Sequence, residues 1–409
     1  MVSENWKRNV TLFLASQVVS FFGSSLVAYA IMWHITLTTQ SGSMMTISIL
    51  CNFLPSLLLA PFAGVWADRY NRKLLIAGAD SLIALCTLGL ALLFLAGYDS
   101  VWLLFVASAV RSFGSGLQTP AVGAFLPQIT PQDKLTKVNA ANNTLQAAVT
   151  LVSPMVSAAM LTVSSLEAIF FVDVVTAALA VAILLFFLQV PVHQGALAQQ
   201  EVSYFTNLRE GFAYVRDHAF LKAYFIFNAV FFLLAGPMAF LTPLQVARSF
   251  GDQVWRLSAI EVGFSVGMMF GGLLMTCWGG FRNKTHSMAL ANFFCGACTV
   301  GLGLTPVFWV YVLFMGILGV SMPFFNTPAT GLLQQKVEDA FLGRVFSINS
   351  MIAHALMPLT MLFYGPLADV IPIEWMLLAT GTLLVVQSLL LASHRALLEA
   401  GEPMPELQA

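Results

Sequence analysis

The chain has 409 residues, of which 58% are hydrophobic and only 9% charged, too little polar surface for a soluble protein of this length. A formal net charge of −1 gives no sign of a nucleic-acid partner. The five cysteines (Cys51, Cys86, Cys277, Cys295 and Cys298) all fall inside apolar runs, which implies no disulfide framework.

Apolar runs long enough to cross a hydrocarbon core of roughly 30 Å recur along the whole length. Backbone groups in lipid must be satisfied internally, so these runs read as helices, and the short alternating strands of a β-barrel are absent. The expected class is an all-α membrane protein with twelve transmembrane helices in two pseudo-symmetric six-helix halves. An N-terminal half, 1–190, holds spans near 9–37, 43–67, 73–96, 101–126, 137–163 and 168–190. The first run is too long for a signal-peptide core and no small-residue cleavage site follows it, so it reads as a mature helix. Residues 191–219 are the least apolar long stretch and read as a cytoplasmic linker, with an amphipathic segment near Tyr204 to Val215 at the membrane surface. The C-terminal half, 220–395, holds spans near 220–248, 257–280, 285–305, 307–333, 342–369 and 373–395, and a cytoplasmic tail covers 396–409.

Charge supports this count. With the N-terminus inside, 15 of the 18 Lys and Arg residues fall in cytoplasmic segments, Arg248 and Arg256 fall outside, and Arg111 lies within a span. That bias is what the positive-inside rule predicts. The expected location is a membrane, in contact with lipid, with both termini cytoplasmic.

The halves also repeat. Thr119-Pro-Ala-Val-Gly123 returns as Thr327-Pro-Ala-Thr-Gly331, Lys137-Val138 and Asn142 return as Arg344-Val345 and Asn349, and residues 64–73 have a worn counterpart at 279–284. Parallel half-repeats with a midplane site between them are a known plan of secondary transporters. A nucleotide-binding G-x-x-x-x-G-K-[ST] motif is absent, as is a converging nucleophile–base or metal set, so neither an enzyme nor a metal site is expected. Cys295-Gly-Ala-Cys298 has no second ligand pair and reads as small packing residues. Gly263, Gly267 and Gly271, at four-residue spacing, read as a helix contact.

Residues 64–73 read Gly-Val-Trp-Ala-Asp-Arg-Tyr-Asn-Arg-Lys and join two apolar runs. They resemble the G-x-x-x-D-R-x-x-R-K loop between helices 2 and 3 of the major facilitator superfamily, and the expected architecture is that superfamily's fold. Gly64 permits close packing or a tight turn. Asp68 suits a neighbouring helix N-terminus, which the resemblance places near Gly343-Arg344. Arg69 and Arg72, beside Lys73, have Asp133 as an expected partner. By the same resemblance this set latches the cytoplasmic side in the outward-open state. Plain topology anchoring by positive charge is the alternative.

Arg111 sits near the bilayer centre, where a cation is costly and should face protein or water. Ser108, Arg111, Ser115 and Gln118 share one helical face. Arg111-Ser-Phe-Gly114-Ser-Gly116 resembles the superfamily's R-x-x-x-G helix 4 motif, with Gly displaced to the third and fifth positions after Arg. Coupling or substrate charge is one reading, and a structural hydrogen-bond hub the other. Asp80, Asp173, Glu261 and Asp369 are acids in or near spans, and Gly365-Pro-Leu-Ala-Asp369 echoes the opening of the 64–73 loop. Buried carboxylates suit a proton-coupled cycle. Glu261 is the preferred coupling acid, because the resemblance puts helix 8 beside the cavity and helices 3 and 6 at the periphery. His354 is a further titratable candidate. Each of these also has a plain role as an interfacial, capping or packed group.

The resemblance further implies that spans 1, 4, 7 and 10 line the cavity. Their candidate residues are Gln17, Ser20, Ser24, Gln118, Asn228, Phe231, Met238, Met322 and Asn326. Such a lining suits a bulky amphiphile better than a sugar, although Phe, at 34 residues, is abundant everywhere. Asn5-Trp-Lys-Arg8, Ile76-Ala-Gly-Ala-Asp80, Gln132-Asp-Lys-Leu-Thr-Lys137 and Leu342-Gly-Arg-Val-Phe-Ser347, with Arg111-Ser112, Gln118-Thr-Pro-Ala121 and Ser153-Pro154, resemble the bacterial macrolide-efflux branch. That implies a monomeric secondary exporter of small amphiphiles, macrolides among them, working by proton antiport and rocking alternating access. It requires no cofactor beyond the proton gradient. Export of an endogenous amphiphile, lipid or siderophore, or a non-transporting receptor or scaffold, are the competing readings.

Overall fold

The computed structural model describes residues 5–188 and 204–402, apart from the side chains at 61, 68, 204–208, 339, 340 and 354. Helices α1 (Trp6–Thr39), α2 (Gly42–Arg69), α3 (Arg72–Leu95), α4 (Val101–Ile129), α5 (Leu135–Val163) and α6 (Leu166–Ala182) come first. They are followed by α7 (Tyr204–Asp217), α8 (Ala219–Phe240), α9 (Thr242–Phe250), α10 (Val254–Trp278), α11 (Lys284–Leu304) and α12 (Phe308–Lys336). The last are α13 (Asp339–Met351), α14 (Met357–Leu359), α15 (Met361–Ala368), α16 (Ile373–Ser393) and α17 (Arg395–Gly401). No strand occurs among the described residues.

Ten described helical stretches are long and apolar enough to cross a membrane. α4, which carries Arg111 and its polar face, is not among them, and neither is the run α13–α15, where wider-wound turns and prolines break the helix into short pieces. With these two, the set fits twelve spans. The expected span at 342–369 is therefore a broken helix rather than a continuous one.

The chain divides into two compact units, Met1–Thr39 with Ile47–Glu201, and Gln40–Thr46 with Val202–Ala409. In the first, α1 packs on α5 and α6, and α3 on α4 and α6. One of its cores gathers Phe13, Ile76, Ala121, Phe125 and Leu184. In the second, α11 packs on α12 and α16, and α10 on α12. A Cβ on Gly267 would collide with the carbonyl of Gly316, so α10 and α12 touch backbone to backbone. This is the helix contact expected of the glycine spacing.

The repeat is visible in the caps. The Asn71 side chain accepts from the amides of Lys73 (3.0 Å) and Leu74 at the start of α3, and Asn283 accepts from Thr285 (2.9 Å) at the start of α11. α7 is the amphipathic segment of the linker region. It lies against α13, with Tyr214 stacked on Phe341 at 4.2 Å and Glu210 paired with Arg344 at 3.0 Å.

Candidate functional site

The first unit holds a buried polar network built by four helices. α4 presents Arg111 (7% exposed) and α6 presents Asp173 (0%). Arg111 Nη1 donates to Asp173 Oδ2 at 2.5 Å and to the Thr87 hydroxyl on α3. Its Nη2 donates to the carbonyl of Ser24 on α1 at 3.0 Å. Asp173 also accepts from Ser24 Oγ (3.2 Å) and Thr87 Oγ1 (3.0 Å). A Cβ on Gly23 would collide with Thr176 Oγ1, so glycine at this point lets α1 reach α6 and bring Ser24 to Asp173. The pair is buried, and the hydrogen bonds around it offset the cost of desolvating both charges.

Two turns nearer the start of α3, Asp80 is 2% exposed. Its Oδ1 accepts from Ser20 Oγ and from Gln118 Nε2, both at 2.7 Å. Its Oδ2 is buried and has no partner among the described residues. No cation among the described residues reaches it, in contrast with Asp173.

The second unit places an amide where the first has this acid. Asp80 stands nine residues after the capping Asn71 (80 − 71 = 9), and Asn292 stands nine after the capping Asn283 (292 − 283 = 9). Asn292 is also 2% exposed, and its Nδ2 donates to Gln387 Oε1 at 3.3 Å. Asn228 Nδ2 donates to Asn349 Oδ1 at 2.8 Å. Tyr224, Asn228, Phe231, Asn292, Phe325 and Gln387 border a cavity of about 10 Å³. That is room for a water, which suits the otherwise unpartnered Asn228 Oδ1 and Asn292 Oδ1.

The structure places the residues expected to line a cavity in several settings. Ser20, Ser24 and Gln118 hold the acids of the first unit. Gln17 and Met322 are half-buried and Asn326 is exposed. Phe231 is buried and stacks on Phe325 (5.4 Å, 13°), and Met238 Sδ accepts from Thr299 Oγ1 at 3.0 Å. Glu261, the preferred coupling acid, is half-buried on α10 with no hydrogen-bond or ion-pair partner among the described residues. The Arg111–Asp173 pair was not legible as a pair, since 62 residues separate its members.

In the 64–73 loop, Arg72 donates to the carbonyls of Ala67 (3.0 Å) and Ala124 (2.9 Å), and Lys73 Nζ to those of Leu185 (3.0 Å) and Leu188 (2.7 Å). These cations thus cap helix ends, where the dipole favours them. Asp133 pairs with its neighbour Lys134 at 3.0 Å, not with Arg69 or Arg72. Arg69 is exposed at the end of α2. Gly64 lies in the interior of α2 with nothing within 4 Å of a would-be Cβ, so the close packing expected of it is absent among the described residues. The side chains of Asp68 and His354 lie outside the described residues.

A family model described as Major Facilitator Superfamily matches residues 13–360. The chain belongs to the major facilitator superfamily. As a member of it, this is a multi-pass membrane protein. Macrolide efflux protein A of Streptococcus pyogenes is 30% identical over 385 residues, 93% of this chain and 94% of that protein. Macrolide efflux protein A of Enterococcus faecalis is 31% identical over 323 residues, 78% of this chain and 99% of that one. A solved structure of a bacterial homologue of the human lysosomal transporter Spinster has the same superfamily fold, with TM-score 0.70 and 13% identity over 98% of this chain and all of that one.

Proposed function

We propose that the chain is a secondary active exporter of bulky amphiphiles, macrolides foremost, driven by proton antiport across the bacterial cytoplasmic membrane. It works as a monomer by alternating access and needs no bound cofactor. The substrate class is carried over from the two macrolide efflux relatives, which align over most of their own length. The observation that carries the coupling is the contrast inside the first unit. Asp173 is neutralised by Arg111, whereas Asp80 is buried with an open carboxylate oxygen and only neutral donors. Asp80 is then the group that takes a proton from one side and gives it up to the other, and Arg111–Asp173 is the fixed charge beside it. The second unit, with Asn292 at the matching position, contributes neutral hydrogen-bonding surface instead.

Inverted vesicles test this directly. Energised vesicles should accumulate erythromycin and lose it on addition of a protonophore. Asp80→Asn keeps both hydrogen-bond donors' partner but cannot exchange a proton, and should lower gradient-driven uptake by on the order of tenfold or more. Undiminished, protonophore-sensitive uptake by Asp80→Asn would remove Asp80 from the mechanism.

A further inference from the structure

Helices α9, α10 and α12 meet at one end of the second unit in a cluster of rings. Phe308 lies 5.2 Å from Trp255, 5.5 Å from Trp309 and 5.6 Å from Phe250, each pair edge to face. The Trp255 indole is fixed at its polar side, where Nε1 donates to Gln253 Oε1 at 2.7 Å. Arg256 lies on this cluster. Its guanidinium carbon is 5.5 Å from the Trp255 ring centre and 5.7 Å from that of Phe308. Ring faces attract the cation without neutralising it. The Arg256 side chain has no ion pair or hydrogen bond among the described residues, and its Nε is buried and unpartnered. Asp252, one turn earlier, is exposed and makes no pair with it. Arg248, on α9, is the contrast: it reaches Asp369 Oδ1 at 3.3 Å and donates to the carbonyls of Ala368 and Gln40.

The surroundings of this cation are shaped on two sides. Gly251, in the turn before α10, has φ of +108°, and a Cβ there would come within 2.8 Å of Arg256 Nη1. Glycine at this point keeps the space in which the guanidinium lies. From Trp255 an exposed stripe runs along α10 through Val266, Met269 and Leu273. Trp309, 5.9 Å from Trp255, begins a second stripe on α12 that continues at Leu313. An unpaired cation therefore stands at the head of a broad apolar face, with two indoles between them.

We infer that Arg256, Trp255 and Trp309 form a binding site for an anionic phospholipid, with its phosphate on the Arg256 fork and an acyl chain along the exposed stripes of α10 and α12. A phosphodiester presents two oxygens that match the planar guanidinium. Tryptophan beside a cation at a helix start suits the boundary between headgroups and chains. A zwitterionic lipid carries its own ammonium beside its phosphate, so a lipid of net negative charge gains more from an unpaired cation. The site lies wholly within the second unit and does not depend on the exporter reading.

Phosphatidylglycerol brominated on its acyl chains quenches any tryptophan it touches, and tests the site on the full-length protein in phosphatidylcholine bilayers. The emission lost in Trp309→Phe isolates the Trp309 signal. In the wild type that signal should be quenched to saturation at a low fraction of brominated phosphatidylglycerol, whereas brominated phosphatidylcholine should quench it only in proportion to its fraction. Arg256→Gln should raise the half-saturating fraction by on the order of tenfold, the size expected of a charge-assisted hydrogen-bonded pair. Arg256→Lys, which keeps the charge but not the fork, should fall between the two. Arg282→Gln, an exposed cation beyond the other end of α10, should leave the curve in place. Equal curves for the two brominated lipids in the wild type, or an unshifted Arg256→Gln protein, would overturn the proposal. So would an equal shift in Arg282→Gln, which would reduce the effect to net charge, or displacement of the brominated lipid by added glycerol phosphate, which would make the occupant a soluble phosphate compound.

Discussion

At the scale of single residues, the Arg111–Asp173 pair separates two roles that the sequence left open, a structural hub and a coupling charge. Both side chains are almost fully buried, at 8% and 0% exposure. Removing one partner strands the other as an uncompensated buried charge, at a cost of about 3–5 kcal/mol. Arg111→Met alone, or Asp173→Leu alone, should therefore lower the melting temperature clearly in detergent. The double variant removes both charges and should recover most of that loss, since a buried ion pair contributes little net stability over apolar side chains. Erythromycin uptake distinguishes the roles. If the pair is only a hub, the double variant transports; the coupling reading expects it to fold and not to transport. Arg111 was legible because a lone cation in an apolar run is conspicuous. Its partner was not, because Asp173 follows 62 residues later on a helix the superfamily pattern marks as peripheral. Glu261 drew attention for the converse reason: a helix expected beside the cavity made it prominent, but the structure gives it no polar network among the described residues.

At the scale of elements, helix positions were readable because the membrane demands long apolar runs, and prolines and charges punctuate them. The broken run α13–α15 was not, since hydropathy averages over the turns at Ile352–Leu356 and Thr360 that interrupt it. Small-residue contacts were readable from spacing alone. α10 and α12 meet at Gly267, where a side chain would enter the carbonyl of Gly316. Gly267→Leu should force the helices apart and destabilise the second unit by about 1–3 kcal/mol, the usual cost of overpacking. Thermal unfolding followed by accessibility of the buried Cys295 thiol should show it. Gly272→Leu, on the same helix with nothing within 4 Å of its would-be Cβ, is the matched control and should leave the melting curve in place.

At the scale of the whole molecule, composition and the loop motif led to the superfamily, and the family match over residues 13–360 bears that out. The asymmetry between the halves needed the structure. The caps at Asn71 and Asn283 align the repeats residue for residue, and the alignment sets Asp80 against Asn292; sequence alone supports only the looser match of 64–73 with 279–284. Charge distribution makes the remaining prediction about the whole chain. Fifteen of 18 basic residues fall on one side when the helices alternate as read, and translocating that many cations in short loops is strongly disfavoured. The side carrying Lys7, Arg72 and Lys134 should be cytoplasmic, and so should the C-terminal end at Arg395. The turns near Asp99 and Asp252, which carry Asp99, Asp252 and few cations, should face outward. Alkaline phosphatase fused after Tyr98 or Gly251 should then be active, because it folds only outside the cytoplasm, while a fluorescent protein fused after Glu402 should fluoresce, because it matures only inside. An active phosphatase after Glu402 would mean an odd number of crossings or a reversed chain, and the side assigned to the 64–73 loop would have to be reconsidered with it.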